Sequence, residues 1–249
     1  MSSIGKIINP ADRVGQVGTN NYGSKMTVIE YKDYQNVTVR FEDGYVATGT
    51  WQQFQRGAIK SVYDRSVSGV GYIGEGDNIN PEVYKHWRGM LTRCYDDGTK
   101  ERQKSYTSCV VDSEWHNYQN FANWYKTNVY FVGNDRLELD KDLLGKGSKV
   151  YSKDTCLLLP SRINKLLITN ESRRGDLPVG VVRHHGKFIA QVRVNGTKKW
   201  LGTFDTPEEA SKAYVLGKEE EVKRFAHEYR DVIPTKVFEA LMNYKLLSF

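Results

Sequence analysis

The chain is predicted to be α+β and to fall into three modules. These are a small β domain over residues 1–76, a segment of short strands and helices over 77–172, and a sheet covered by one helix over 173–249. Three observations predict this. Two alternating runs and a turn dipeptide before a third strand mark the first module, and aromatic residues at helical spacing mark the middle. A hairpin followed directly by a capped helix closes the chain. A length of 249 residues suffices for two or three small domains, and 39% hydrophobic with 12% aromatic residues marks a folded chain rather than a disordered one.

In the first module, Met26–Tyr31 and Val37–Phe41 alternate, and Asp43-Gly44 supplies a turn before a third strand from Tyr45 to Trp51. A small twisted barrel would bury one face of each strand. The glycine-rich stretch 67–78 has no apolar period and reads as a linker. It lacks the strand, helix and lysine that a phosphate-cradling loop requires.

The middle module opens with Pro81 and a helix carrying Trp87, Met90, Leu91 and Cys94. A second helix after Ser113 carries Trp115, Tyr118, Phe121, Ala122, Trp124 and Tyr125, an aromatic stripe that reads as core. Residues 137–167 then read as strand, glycine-containing loop, apolar segment and, after Pro160, a helix.

The last module is the most explicit. Asn195-Gly196 tolerates the left-handed backbone of a two-residue hairpin turn, so Val194 faces Thr197 and the pairing runs back one for one. Arg193 then lies opposite Lys198 and Gln191 opposite Trp200, all on one face, while Ala190, Val192 and Leu201 point to the other. Thr206-Pro207-Glu208-Glu209 is an N-cap, a first-turn proline and a capping-box glutamate. Ala210, Ala213, Tyr214, Gly217, Phe225, Ala226 and Tyr229 follow at helical spacing, so the helix covers the apolar face and leaves the polar one free.

Charge points to the same place. The net charge is +6, yet residues 162–200 hold nine Lys/Arg against Glu171 and Asp176, a net of +7. Clustered cations beside an aromatic on one face fit a phosphate-backbone binder. No apolar run approaches membrane-spanning length, and MSSIGKIINP lacks a signal-peptide core. Cys94, Cys109 and Cys156 are odd in number and contain no CxxC, which argues against a disulfide framework and a structural zinc site. The expected setting is a cytoplasm (the host cell's, if the gene is phage-borne), with no membrane partner.

GKFIAQVR and KKWLGTFDTPEEASKAY resemble the APETALA2/ethylene-response-factor DNA-binding domain and its relatives in phage homing endonucleases and integrases. In that family the sheet lies in the major groove and its outer face touches bases and phosphates. The resemblance assigns that role to Arg183, Gln191, Arg193, Lys198 and Trp200. Val179 and Val182 stand where family members usually carry arginine.

Residues 137–167 resemble the ββα-metal fold of HNH nucleases, in which a strand-end acid and a helix Asn hold a divalent ion on the scissile phosphate and a histidine activates water. Asp140 and Asn164, 24 positions apart, occupy the metal-ligand places, and their oxygens suit Mg²⁺. The histidine position is Lys141. A lysine starts near ~10.4 and would need a shift of roughly three units, about 4 kcal/mol, to act as a base near neutral pH. Asp142 beside it opposes that shift. Lys141 therefore suits a phosphate better than a proton, and Asp142, His116 or His86 remain alternative bases.

The two resemblances imply a phage or mobile-element protein that binds double-stranded DNA, its HNH-like module weakened or inactive. An active Mg²⁺-dependent HNH endonuclease, and a protein that modulates a host transcription or defence protein, are the competing expectations.

Overall fold

The computed structural model describes residues 10–168 and 176–246. The first nine residues, Glu171, Arg173, Arg174 and the 172/173 boundary lie outside the described residues. The chain forms two compact units, residues 1–123 and 124–249.

The first unit opens with an antiparallel sheet of β1 (Val17–Thr19), β2 (Lys25–Asp33), β3 (Asn36–Phe41) and β4 (Val46–Gly49), in sequence order. Gly44 at φ 90° makes the turn expected at Asp43-Gly44. Alternation buries Met26, Val28, Val37, Val39 and Phe41 on one face. Over this face folds α1 (Trp51–Gln55), started by a Thr50/Gln53 capping box and contributing Trp51 and Phe54. The sheet is thus an open meander with a helical cover, as α1 takes the place that barrel closure would have filled. Arg13 stacks its guanidinium 3.9 Å from the Trp51 ring centroid.

After it come α2 (Pro81–Tyr95), α3 (Asp97–Arg102), β5 (Val110–Val111) and α4 (Tyr118–Asn128). Asn80 caps α2, and Trp87, Met90, Leu91 and Cys94 are fully buried along it. The aromatic stripe is core as expected: Trp115, Tyr118 and Phe121 are buried, and the Trp87 indole donates to the Trp115 carbonyl at 2.7 Å. The stretch expected to be a linker is packed instead. A Cβ at Gly71 would come 2.4 Å from Leu91, and one at Gly76 2.6 Å from Gln119, whose Oε1 accepts from the Asn78 amide. These glycines serve close approach, which leaves no apolar period to read.

The second unit contains β6 (Leu137–Asp140), α5 (Asp142–Gly145), β7 (Val150–Tyr151), β8 (Leu157–Pro160) and α6 (Ser161–Leu167). It continues with β9 (Val181–His184), β10 (Lys187–Val194), β11 (Thr197–Phe204), α7 (Pro207–Glu228) and α8 (Thr235–Met242). β6 and β8 pair antiparallel, Asp140 opposite Leu157. β11-β10-β9 form a three-stranded antiparallel sheet. Thr206 and Glu209 form the expected capping box at the start of α7.

One core joins all of this. Leu157, Leu159, Ile163 and Leu166 from β8 and α6 cluster with Val181, Ala190 and Val192 of the sheet, Tyr214, Val222, Phe225 and Ala226 of α7, and Leu241 of α8. A two-stranded ribbon and a two-turn helix bury too little apolar surface to stand alone, so they complete their core on α7. Among the described residues no helix is long and apolar enough to cross a membrane.

Candidate nucleic-acid interface

The hairpin forms as its turn dipeptide dictates. Asn195 (φ 49°) and Gly196 (φ 83°) are both left-handed, and Val194 pairs with Thr197, Arg193 with Lys198 and Gln191 with Trp200. One-for-one pairing then stops. Ala190 pairs with Gly202 rather than Leu201, leaving Leu201 as a bulge residue. Without the bulge, Leu201 and Phe204, three positions apart, would face opposite sides. With it, both pack into the α7-side core. Leu201 lies against Gly217, where an added Cβ would stand 2.7 Å from its methyls.

The face away from α7 therefore carries Gln191 and Arg193 from β10, and Lys198, Trp200 and Thr203 from β11. Register adds Ile189, which sequence reasoning missed, and, from β9, Val182, one of the two valines standing where arginine is usual. The signal for Ile189 was the Gln191 parity along β10. Trp200 is 66% exposed, and Arg193 and Lys198 are exposed. Among the described residues the side chains of Gln191, Arg193, Lys198 and Trp200 have no hydrogen-bond, ion-pair or ring partner. Two cations, an amide and an indole thus stand together on one solvent-facing surface.

Arg183 stands elsewhere. It registers with Phe188, on the parity of buried Val181, and its guanidinium lies 5.3 Å from the Phe188 ring centroid. It is exposed, but its backbone position faces the helix side of the sheet. Not every cation counted in the basic segment is available either. Lys199 registers with buried Val192, and its Nζ sits 2.5 Å from buried Glu221 of α7. Lys187 pairs with Asp205.

The β6–β8–α6 residues form a second polar cluster of different character. Asp140 Oδ1 accepts from the amides of Asp142 (3.1 Å) and Leu143 (2.8 Å) and so caps α5. The residue is partly exposed while its carboxyl turns inward, and burial pushes that carboxyl up to about 6 against the pull of the two amides. Asn164 donates from Nδ2 to Glu138 Oε2 at 2.7 Å, not to Asp140. Glu138 also accepts from Ser161 Oγ at 2.8 Å and Arg136 at 3.0 Å. Burial works to raise the Glu138 pKa, but these donors outweigh it and hold the carboxyl below its usual range. Lys141 is buried, with Nζ 2.5 Å from the exposed Asp142 carboxylate and 5.6 Å from the Tyr151 ring centroid. Its ammonium is thus buried and paired with a neighbouring carboxylate. His116 and His86, the alternative bases, belong to the first unit. Among the described residues no three His, Cys, Asp or Glu side chains gather as a metal site.

A 47-residue stretch of the chain is 53% identical to the Ethylene-responsive transcription factor ERF116 of Arabidopsis thaliana, covering 18% of this chain and 16% of that protein. The chain thus spans about a sixth of that relative's length. No family model matches the chain, and no solved structure matches it. The likeness supports a domain of the APETALA2/ethylene-response-factor type within this chain.

Proposed function

We propose that this protein binds double-stranded DNA through the outer face of β9–β11. The observation that carries this is the gathering of Gln191, Arg193, Lys198 and Trp200 on one surface, where among the described residues none has a hydrogen-bond, ion-pair or ring partner. The likeness to a transcription factor supports the same reading. The cations neutralise phosphates, Gln191 has the donor and acceptor to read a base edge, and Trp200 supplies flat apolar contact. The test is duplex affinity against salt. Log K should fall linearly with log salt, and a constant that stays flat from low to physiological salt refutes the reading.

In this reading β6, β8 and α6 are a scaffold for the DNA-binding unit, with weak or no cleavage. What supports it is the internal use of their polar groups: Asp140 caps α5, Asn164 serves Glu138, and Lys141 is buried on Asp142. The competing reading is an HNH-type nuclease. It is favoured by the strand–strand–helix order, with Asp140 at the end of β6 and Asn164 on α6. In that reading Asp140 and Asn164 would hold Mg²⁺, whose charge would stabilise the phosphate undergoing attack. Incubating plasmid with Mg²⁺ or Mn²⁺ separates the two. We expect no nicking from the native protein beyond an Asp140→Ala control. A gain on the order of a hundredfold in Lys141→His, abolished by Asp140→Ala, would establish a nuclease that lost its base. The resemblance to phage homing proteins supports a phage or mobile-element origin. A host protein retained specifically in pull-down by a DNA-binding-deficient variant would add a protein partner.

A further inference from the structure

Arg162, at the start of α6, makes contacts that neither the charge count nor the site residues accounts for. Its Nε donates to Asn195 Oδ1 at 3.3 Å, in the turn between β10 and β11. Its Nη1 donates to the Tyr229 hydroxyl at 3.2 Å and pairs with Glu228 Oε1 at 3.4 Å. The guanidinium lies over Phe225 and Tyr229, 5.4 and 5.8 Å from their centroids. Its backbone amide donates to Asp135 Oδ2 at 3.2 Å. One side chain thus joins α6, the end of α7 and the tip of the hairpin.

The tip needs such a tie. From Asn195 to Trp200 every residue is exposed. Beside the turn Val194 packs against the core, and farther along β11 Lys199 reaches Glu221, but the Asn195-Gly196 turn itself is held by neither. Arg193 and Lys198 flank this turn, so the placement of its backbone sets where both cations stand. A guanidinium suits the task because it donates in several directions while lying flat on a ring, which an ammonium does not.

We infer that Arg162 is a positioning residue for DNA binding: through Asn195 it locks the hairpin tip to the rest of the unit before DNA arrives. This rests on the DNA-binding reading above. Pre-ordering removes an entropic cost that would otherwise fall on association.

The test uses the full chain and a mixed-sequence duplex of about thirty base pairs, enough for roughly three turns at 10–10.5 base pairs each. Arg162→Ala should weaken binding about five- to tenfold, the loss expected from ordering one or two side chains on association. The salt slope should not change, because no phosphate contact is removed. Asn195→Gly keeps a left-handed turn while deleting the Oδ1 acceptor, and should give a similar loss without threatening the fold. The double variant should be little worse than either single one, since both break the same link. Arg162→Lys should not rescue. In free protein, hydrogen exchange across 195–198 should quicken in both single variants.

A salt slope lowered by about one in Arg162→Ala would make it a phosphate ligand and overturn the inference. Additive losses in the double variant, or unchanged affinity in both singles while Arg193→Ala weakens binding, would overturn it and leave the DNA-binding reading standing. If Arg193→Ala has no effect, the DNA-binding reading fails. Hydrogen exchange then reports separately whether Arg162 holds the turn.

Discussion

Two polar clusters of the second unit make opposite use of the same residue types. On the outer face of β10 and β11, Arg193 and Lys198 are exposed and Gln191 half-buried, and among the described residues their side chains have no hydrogen-bond or ion-pair partner. Between β6 and α6, Glu138, Asp140 and Asn164 are tied to neighbours from 2.7 to 3.1 Å away. The first arrangement leaves hydrogen-bonding capacity for a ligand. The second has spent it on helix capping and on holding α6 to β6, where losing a partner leaves a half-buried group unsatisfied. Residue type alone would have ranked the acid-and-amide cluster as the chemical site. Partnering favours the sheet face instead, in line with the proposed DNA-binding reading.

The comparison breaks most severely if the sheet cannot seat on α7. Gly180 is left-handed at φ 71°, and a Cβ there would fall 1.9 Å from the Tyr214 ring. Gly180→Ala should cost about 3 kcal/mol or more, from overpacking plus backbone strain, read by urea unfolding.

A sharper division comes from Arg193→Ala with Lys198→Ala. Each should lower duplex affinity about tenfold and the salt slope by about one, with the unfolding midpoint unmoved because neither side chain has a polar partner among the described residues. A loss of stability comparable to a core truncation would show that the face is structural.

Next in size is a pH effect at Asp140. Its folded pKa of about 6 lies above the ~3.9 of an unfolded aspartate, so the folded state binds the proton more tightly. The stability this contributes is fully present below about pH 4 and is lost as pH rises through about 6. Asp140→Asn keeps an acceptor for the amides of Asp142 and Leu143 and carries no charge. It should therefore exceed the native protein by about 2 kcal/mol at pH 7, allowing for partial exposure, and match it near pH 4. Equal stability curves across that range would remove the buried-carboxylate account. A rise in native stability with Mn²⁺ at pH 7, absent in the variant, would restore a metal-binding role.

The smallest effect should come from Asn164→Ala, which takes one donor from Glu138 and leaves Ser161 and Arg136 in place. A loss of about 1 kcal/mol in stability, with duplex affinity unchanged, fits a scaffold role. Weakened DNA binding at full stability would bring α6 into the interface.

What the sequence determined by itself is local. The Asn195-Gly196 turn, the Thr206/Glu209 capping box and the pairing from Val194–Thr197 back to Gln191–Trp200 each follow from neighbours a few positions apart, through backbone sterics and alternation. The tertiary structure decided what depends on distant segments. The bulge at Leu201 exists because Leu201 and Phe204 must both reach α7, a demand invisible within the strand. Arg183 takes the helix-side parity because β9 enters the sheet with Val181 buried against the core. Lys199 is withdrawn from the basic surface by Glu221, and Asn164 is drawn to Glu138, by pairings 22 and 26 residues apart in the chain. Stretch 67–78 packs on residues some twenty and forty positions on, so its glycines looked like a linker until Leu91 and Gln119 came against them. Sterics within one turn or one pair of strands can be read along the chain. Which face meets the core, and which charge meets its opposite, is set only when the elements pack.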